Sequence, residues 1–195
     1  MFLLLISETK TSMKKTFLEL ISYLKNPVLE KDSNTDFKYR LKKFGFILII
    51  SLLTAIAISP IFSIIEALGL INMEEHAMED LMRTFSKPVI LFFAVVLAPI
   101  SEELIFRAPL TLFKEAKGFK IAFYAFAIIF GLTHLSNFKI TENVLILAPL
   151  LVAPQTILGG YFGFTRIRFG LGWSIALHAF YNGILMLLAF STDLF

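Results

Sequence analysis

From Phe44 to Ile65 the chain runs for twenty-two residues without a charged side chain. At 1.5 Å per helical residue this reaches about 33 Å, enough to cross a hydrocarbon core of about 30 Å. Lipid offers no hydrogen-bond partner to a backbone, so such a run must satisfy its own amides as a helix. Four further apolar runs follow at 88–113, 121–135, 144–164 and 171–190. The pattern predicts an all-α, polytopic membrane helix bundle of five spans, or six if a further break falls near Pro99 or Pro149. Charged residues make up 17% of the chain, against about a quarter in soluble domains, so water is not its main solvent. A single membrane domain is expected over 1–195, with 1–43 as an N-terminal cytoplasmic and interfacial segment and 88–188 as its core.

The flanking segments set expectations for topology. Residues 1–6 are apolar but too short for the apolar region of a signal peptide, and no small-residue cleavage site follows, so they are expected to be retained. Between Thr11 and Leu24, the apolar residues Phe17, Leu18, Leu20, Ile21 and Leu24 recur at helical spacing against Lys14, Lys15 and Glu19. This predicts an amphipathic helix, lying on the membrane surface or packed on its own bundle. Asn26-Pro27 ends it, Glu30 to Lys43 reads as a polar linker, and Pro60 is expected to kink the first span. Nine of the eighteen Lys and Arg residues fall between Lys10 and Lys43, and the turns at 114–120 and 166–168 are also basic. The intervening loops at 72–87 and 137–143 are acidic or nearly neutral, which predicts a cytoplasmic N-terminus and an exterior C-terminus. The aromatic side chains lie in apolar runs and not among the basic residues, so the bilayer and not nucleic acid is the expected partner.

The residues that interrupt the apolar spans carry the chemistry. An ionisable group at the centre of a span costs at least ~2.5 kcal/mol, so such groups must face one another or a watery cavity. Glu103 and Arg107 are four apart with the acid first, the favourable order for a same-face ion pair. Glu102 lies about 100° round the helix and has no such local partner. Phe130 and His134 share one helical face, as do His178 and Asn182. Each singly is explained as interhelical hydrogen-bonding glue, but a free carboxylate with two imidazoles and a carboxamide suggests a reaction site. A desolvated carboxylate can act as general base, imidazole can share proton transfer, and His with Asn can donate to an oxyanion. Alternatively Glu102, His134 and His178 could bind zinc with one position open. Lack of cysteine excludes disulfides, thiolate zinc sites and a cysteine nucleophile. A serine nucleophile at Ser174, one turn before His178, is disfavoured because small hydroxyls are ordinary packing material in spans. A proton-linked transporter with a Glu/His relay and a non-catalytic membrane scaffold are the competing classes.

Taken in order, Glu102-Glu103 with Arg107, Phe130 with His134, and His178 with Asn182 resemble the Glu-Glu-x-x-x-Arg, Phe-x-x-x-His and His-x-x-x-Asn signature of the CPBP family. These are the CAAX prenyl proteases and bacteriocin-processing enzymes, also called the Abi family. Each motif is short, but the ordered trio on three separate spans is specific. The resemblance implies an intramembrane endopeptidase acting on a small peptide or membrane-anchored protein. Glu102 would activate water alongside His134, with His178 and Asn182 supporting the oxyanion and Glu103, Arg107 and Phe130 as supporting residues. It implies either no tightly bound metal or a zinc ion on Glu102, His134 and His178.

Overall fold

The structure, a computed structural model, describes residues 12–191, all helix and loop without strands. The retention expected for residues 1–6 lies outside the described residues. Helix α1 (Met13–Lys25) starts on Ser12, whose side chain accepts from the Lys15 N–H. It buries Thr16, Leu20 and Tyr23 against the bundle and leaves Phe17 and Leu18 exposed, so the amphipathic helix rests on its own protein with apolar side chains still outward.

The polar linker is shorter than expected. Asp36 accepts from the Tyr39 N–H at 2.8 Å and caps α2 (Phe37–Ala67), so the residues from Phe37 to Lys43 form its first two turns. Lys43 is buried there between Glu19 at 2.7 Å and Asp32 at 2.9 Å, binding α1 and the linker to the first span. Burial raises the Asp32 carboxyl, but hydrogen bonds from Lys43 and the Asn34 N–H, with the charges of Lys43 and Arg168, outweigh it and leave the pKa lowered. The helix continues through Pro60. The proline cannot serve the Ile56 carbonyl, which instead accepts from the Ser59 hydroxyl at 3.1 Å.

After the short α3 (Ala77–Thr84), the second span α4 (Lys87–Leu112) contains a π-helical turn at Phe93–Leu97 and ends in a 3-10 turn. Helix α5 (Ala116–Thr133) passes into a 3-10 turn over His134–Asn137. The fourth span is two helices, α6 (Glu142–Leu151) and α7 (Ala153–Phe169), and the fifth is α8 (Leu171–Ser191). The break in the fourth span falls at Val152, before Pro154, and not at Pro149, which lies inside α6. Among the described residues, five helical stretches are therefore long and apolar enough to cross a membrane, the lower of the two expected numbers.

Helix α7 is the central element, packed chiefly on α5 and α8 and also against α1 and α2. Around it, Ile49, Leu53, Ile56, Leu104, Ile105, Ile128, Leu132, Ile146, Phe180 and Leu187 point outward. An apolar exterior on this scale suits lipid as solvent. The two ends of the bundle differ in charge. At one end Arg168 reaches Glu19 and the Glu30 carbonyl, while Arg166 reaches Thr111 and the Arg107 carbonyl. At the other, Lys139 pairs with Glu75 at 3.0 Å.

Candidate active site

Glu103 and Arg107 form the i, i+4 ion pair that their spacing predicts, with Nε to Oε1 at 3.6 Å and both side chains buried. The pair is also cross-linked to other helices. Glu103 Oε1 accepts from His178 Nδ1 at 3.1 Å, and Oε2 accepts from Ser174 Oγ at 2.5 Å. Ser174 and His178 lie one turn apart on α8, so a single carboxylate from α4 fixes that whole face. The terminal nitrogens of Arg107 have no hydrogen-bond partner. Their guanidinium instead lies 3.9 Å from the Phe130 ring centre, with Phe162 and Phe106 beyond, so cation–π attraction replaces solvation. Gly159 makes room for this: a Cβ there would lie 3.1 Å from Arg107 Nη2 and 3.2 Å from Phe130.

Glu102 turns the other way and borders a cavity of about 630 Å³ with Phe130, His134, His178 and Asn182. Its Oε2 is 3.7 Å from His178 Nε2 and has no hydrogen-bond partner. His178 Nδ1 faces the Glu103 carboxylate and must carry the proton, so Nε2 is the nitrogen turned towards Glu102. The imidazole stacks on Phe162 at 4.5 Å, which fixes its plane. His134 donates from Nδ1 to the Phe130 carbonyl at 2.8 Å, leaving the Nε2 lone pair free when the ring is neutral. Phe130 therefore supports Arg107 with its ring face and holds His134 by its backbone.

Asn182 donates to the Ala94 carbonyl at 2.9 Å. In the π-helical turn the Ala98 N–H reaches back to Phe93, not Ala94, and the next residue, Pro99, has no N–H to offer. The Ala94 carbonyl is thus left for a side chain, and Asn182 takes it. One of its two amide hydrogens is committed to fastening α8 to α4.

Sequence reasoning missed Phe162, the π-helical turn, the framing role of Ser174, and Gln155. Ser174 was legible as a same-face neighbour of His178 at i, i+4. Gln155, in the first turn of α7, also lines the cavity, and its buried Oε1 has no partner. Zinc does not suit the arrangement: among the described residues no three His, Cys, Asp or Glu groups converge closely enough to hold a metal ion. Glu102, His134 and His178 border the same cavity without converging on one point.

A family model described as type II CAAX prenyl endopeptidase, Rce1-like, matches residues 84–184. That stretch is over half the chain and carries all three motifs. The chain belongs to this family. It is a membrane protein of a protease family, in agreement with its five apolar helices. Comparison with curated proteins and with solved structures gives no match.

Met78 and Leu81 of α3 also border the cavity. The His76 side chain caps that helix, its Nδ1 accepting from the Met78 N–H, while its ring meets Phe138 edge-on at 4.9 Å. Burial lowers the pKa of His76, and the nearby Glu79 opposes this only in part. The neutral ring therefore stabilises the cap fully above the unfolded pKa of about 6.5. As pH falls below that value, the open form takes up a proton that the capped form resists, and the contribution is lost. Hydrogen exchange in residues 77–84, corrected for intrinsic rates, is expected to accelerate between about pH 7.5 and about pH 5.5. A His76→Gln variant should lose most of this pH response; an unchanged response would dismiss His76 as its source.

Proposed function

We propose that this protein is an intramembrane endopeptidase whose general base is Glu102. The observation that carries the reading is the division of labour between adjacent glutamates. Glu103 is saturated by Arg107, His178 and Ser174, whereas Glu102 faces the cavity with an unpartnered oxygen. A carboxylate with a free oxygen beside two oriented imidazoles has the parts needed for peptide hydrolysis.

Glu102 takes a proton from a water molecule as its oxygen bonds to the substrate carbonyl carbon. The Nε2 lone pair of His134 accepts the water's second hydrogen bond and orients it. Charge developing on the carbonyl oxygen is met by His178 Nε2–H and by the Asn182 amide hydrogen not committed to Ala94. The His178 role requires both ring nitrogens protonated, a charge the Glu103 carboxylate offsets. Collapse breaks the C–N bond, and the proton held by Glu102 passes to the leaving amine. Cavity walls such as Ile90, Phe93, Leu97, Leu185 and Met186 suit an apolar peptide segment, prenylated or plain. The basic end of the bundle is the cytoplasmic one, with the N-terminus on that side.

Purified protein reconstituted in liposomes with single-span reporter peptides tests this reading. Mass spectrometry is expected to find paired fragments from one internal cleavage, with none from the Glu102→Ala or His134→Ala proteins. Undiminished cleavage by Glu102→Ala would remove the assigned role. Absence of cleavage together with a Glu102-dependent proton flux would favour the transporter reading.

A further inference from the structure

The cavity runs from the middle of the bundle towards one of its ends. Its walls come from Ile90 to Glu102 of α4, from Pro154 to Phe162 of α7 and from His178 to Met186 of α8. Ile90 near the start of α4 and Met186 near the end of α8 lie towards the end where Lys139 pairs with Glu75. Met78 and Leu81 of α3 and Asn137, beyond the end of α5, complete the walls. No side chain from the basic turns at 114–120 or 166–168 borders it.

The charge asymmetry between those ends is large. Fourteen of the eighteen Lys and Arg residues belong to the N-terminal segment up to Lys43 and to the turns at 114–120 and 166–168. The remaining four are Arg83, Lys87, the buried Arg107 and Lys139. Basic residues are retained on the cytoplasmic side of a membrane, and a bias of this size sets orientation.

From these two independent observations we infer that the catalytic chamber opens away from the cytoplasm, and that its substrate is a peptide or anchored protein presented on the exterior face. The inference rests on the endopeptidase reading and its orientation. A segment still in the cytoplasm could not reach Glu102 without passing the packed basic end, where Arg166 and Arg168 tie α7 to α4 and to the N-terminal segment. The chemical class is therefore a translocated substrate: a secreted peptide, or the exterior juxtamembrane part of a membrane protein.

The natural absence of cysteine permits a direct test on the full chain. Single variants Ser101→Cys on the cavity wall, Ser136→Cys at the α3 end and Lys117→Cys at the basic end are exposed to a membrane-impermeant maleimide in intact cells, then after permeabilisation. Ser136→Cys and Ser101→Cys are expected to react in intact cells, and Lys117→Cys only after permeabilisation. Reaction of Lys117→Cys in intact cells would overturn the orientation. Failure of Ser101→Cys to react from outside while Ser136→Cys does so would overturn the opening of the chamber. The labelling needs no turnover, so a failed peptidase reading and a failed orientation are told apart.

Discussion

Glu102→Gln is expected to lower kcat of the peptidase reaction by about 100- to 10,000-fold, the range for loss of a general base. The same change should leave stability within about 0.5 kcal/mol of wild type. Two features separate these effects. The Glu102 side chain is partly exposed to the cavity and its Oε2 makes no hydrogen bond, so an isosteric amide breaks nothing that holds the fold. The amide, however, cannot accept a proton from water. Steady-state cleavage of a reporter, paired with thermal unfolding in detergent, reads both quantities on one preparation. A variant that loses activity and stability in parallel would mean that Glu102 belongs to the frame.

Arg107→Ala should have the reverse emphasis, costing about 3–5 kcal/mol of stability because it leaves the fully buried Glu103 carboxylate without its cation. The Phe130 ring would also lose the guanidinium stacked at 3.9 Å. Pairing the change with Glu103→Leu removes both charges and is expected to restore most of the stability, since apolar replacement of a buried ion pair is often neutral. Activity should not return, because Glu103 also holds His178 Nδ1 and Ser174. Equilibrium unfolding of the two single variants and the double variant measures the coupling. A single variant as stable as wild type would show that the pair contributes no net stabilisation.

The same contacts show how far a sequence can be read. Apolar run length gives the spans because a backbone in lipid has one means of satisfying itself. Spacing of four gives Glu103 with Arg107 and His178 with Asn182 as same-face pairs, because helical geometry fixes neighbours along one element. It also leaves Glu102 without a local partner, and the structure leaves its Oε2 unpaired. By contrast, the sequence offers no way to see Phe162 stacked on His178. That contact depends on the rotation of α7 about its axis. The start of α2 was misread for a related reason: Lys43 resembles a linker residue until Glu19 and Asp32, from other segments, surround it.

By itself, then, the sequence determined a helical bundle of five or six membrane spans, the family and the residues that interrupt the apolar helices. These follow from hydropathy, motif order and helical period, all properties of single segments. Only the tertiary structure decided which groups from other helices each glutamate meets, why Asn182 is drawn to Ala94, and towards which end the cavity lies. Those depend on the register between helices, which side-chain packing across the bundle sets and no single helix encodes.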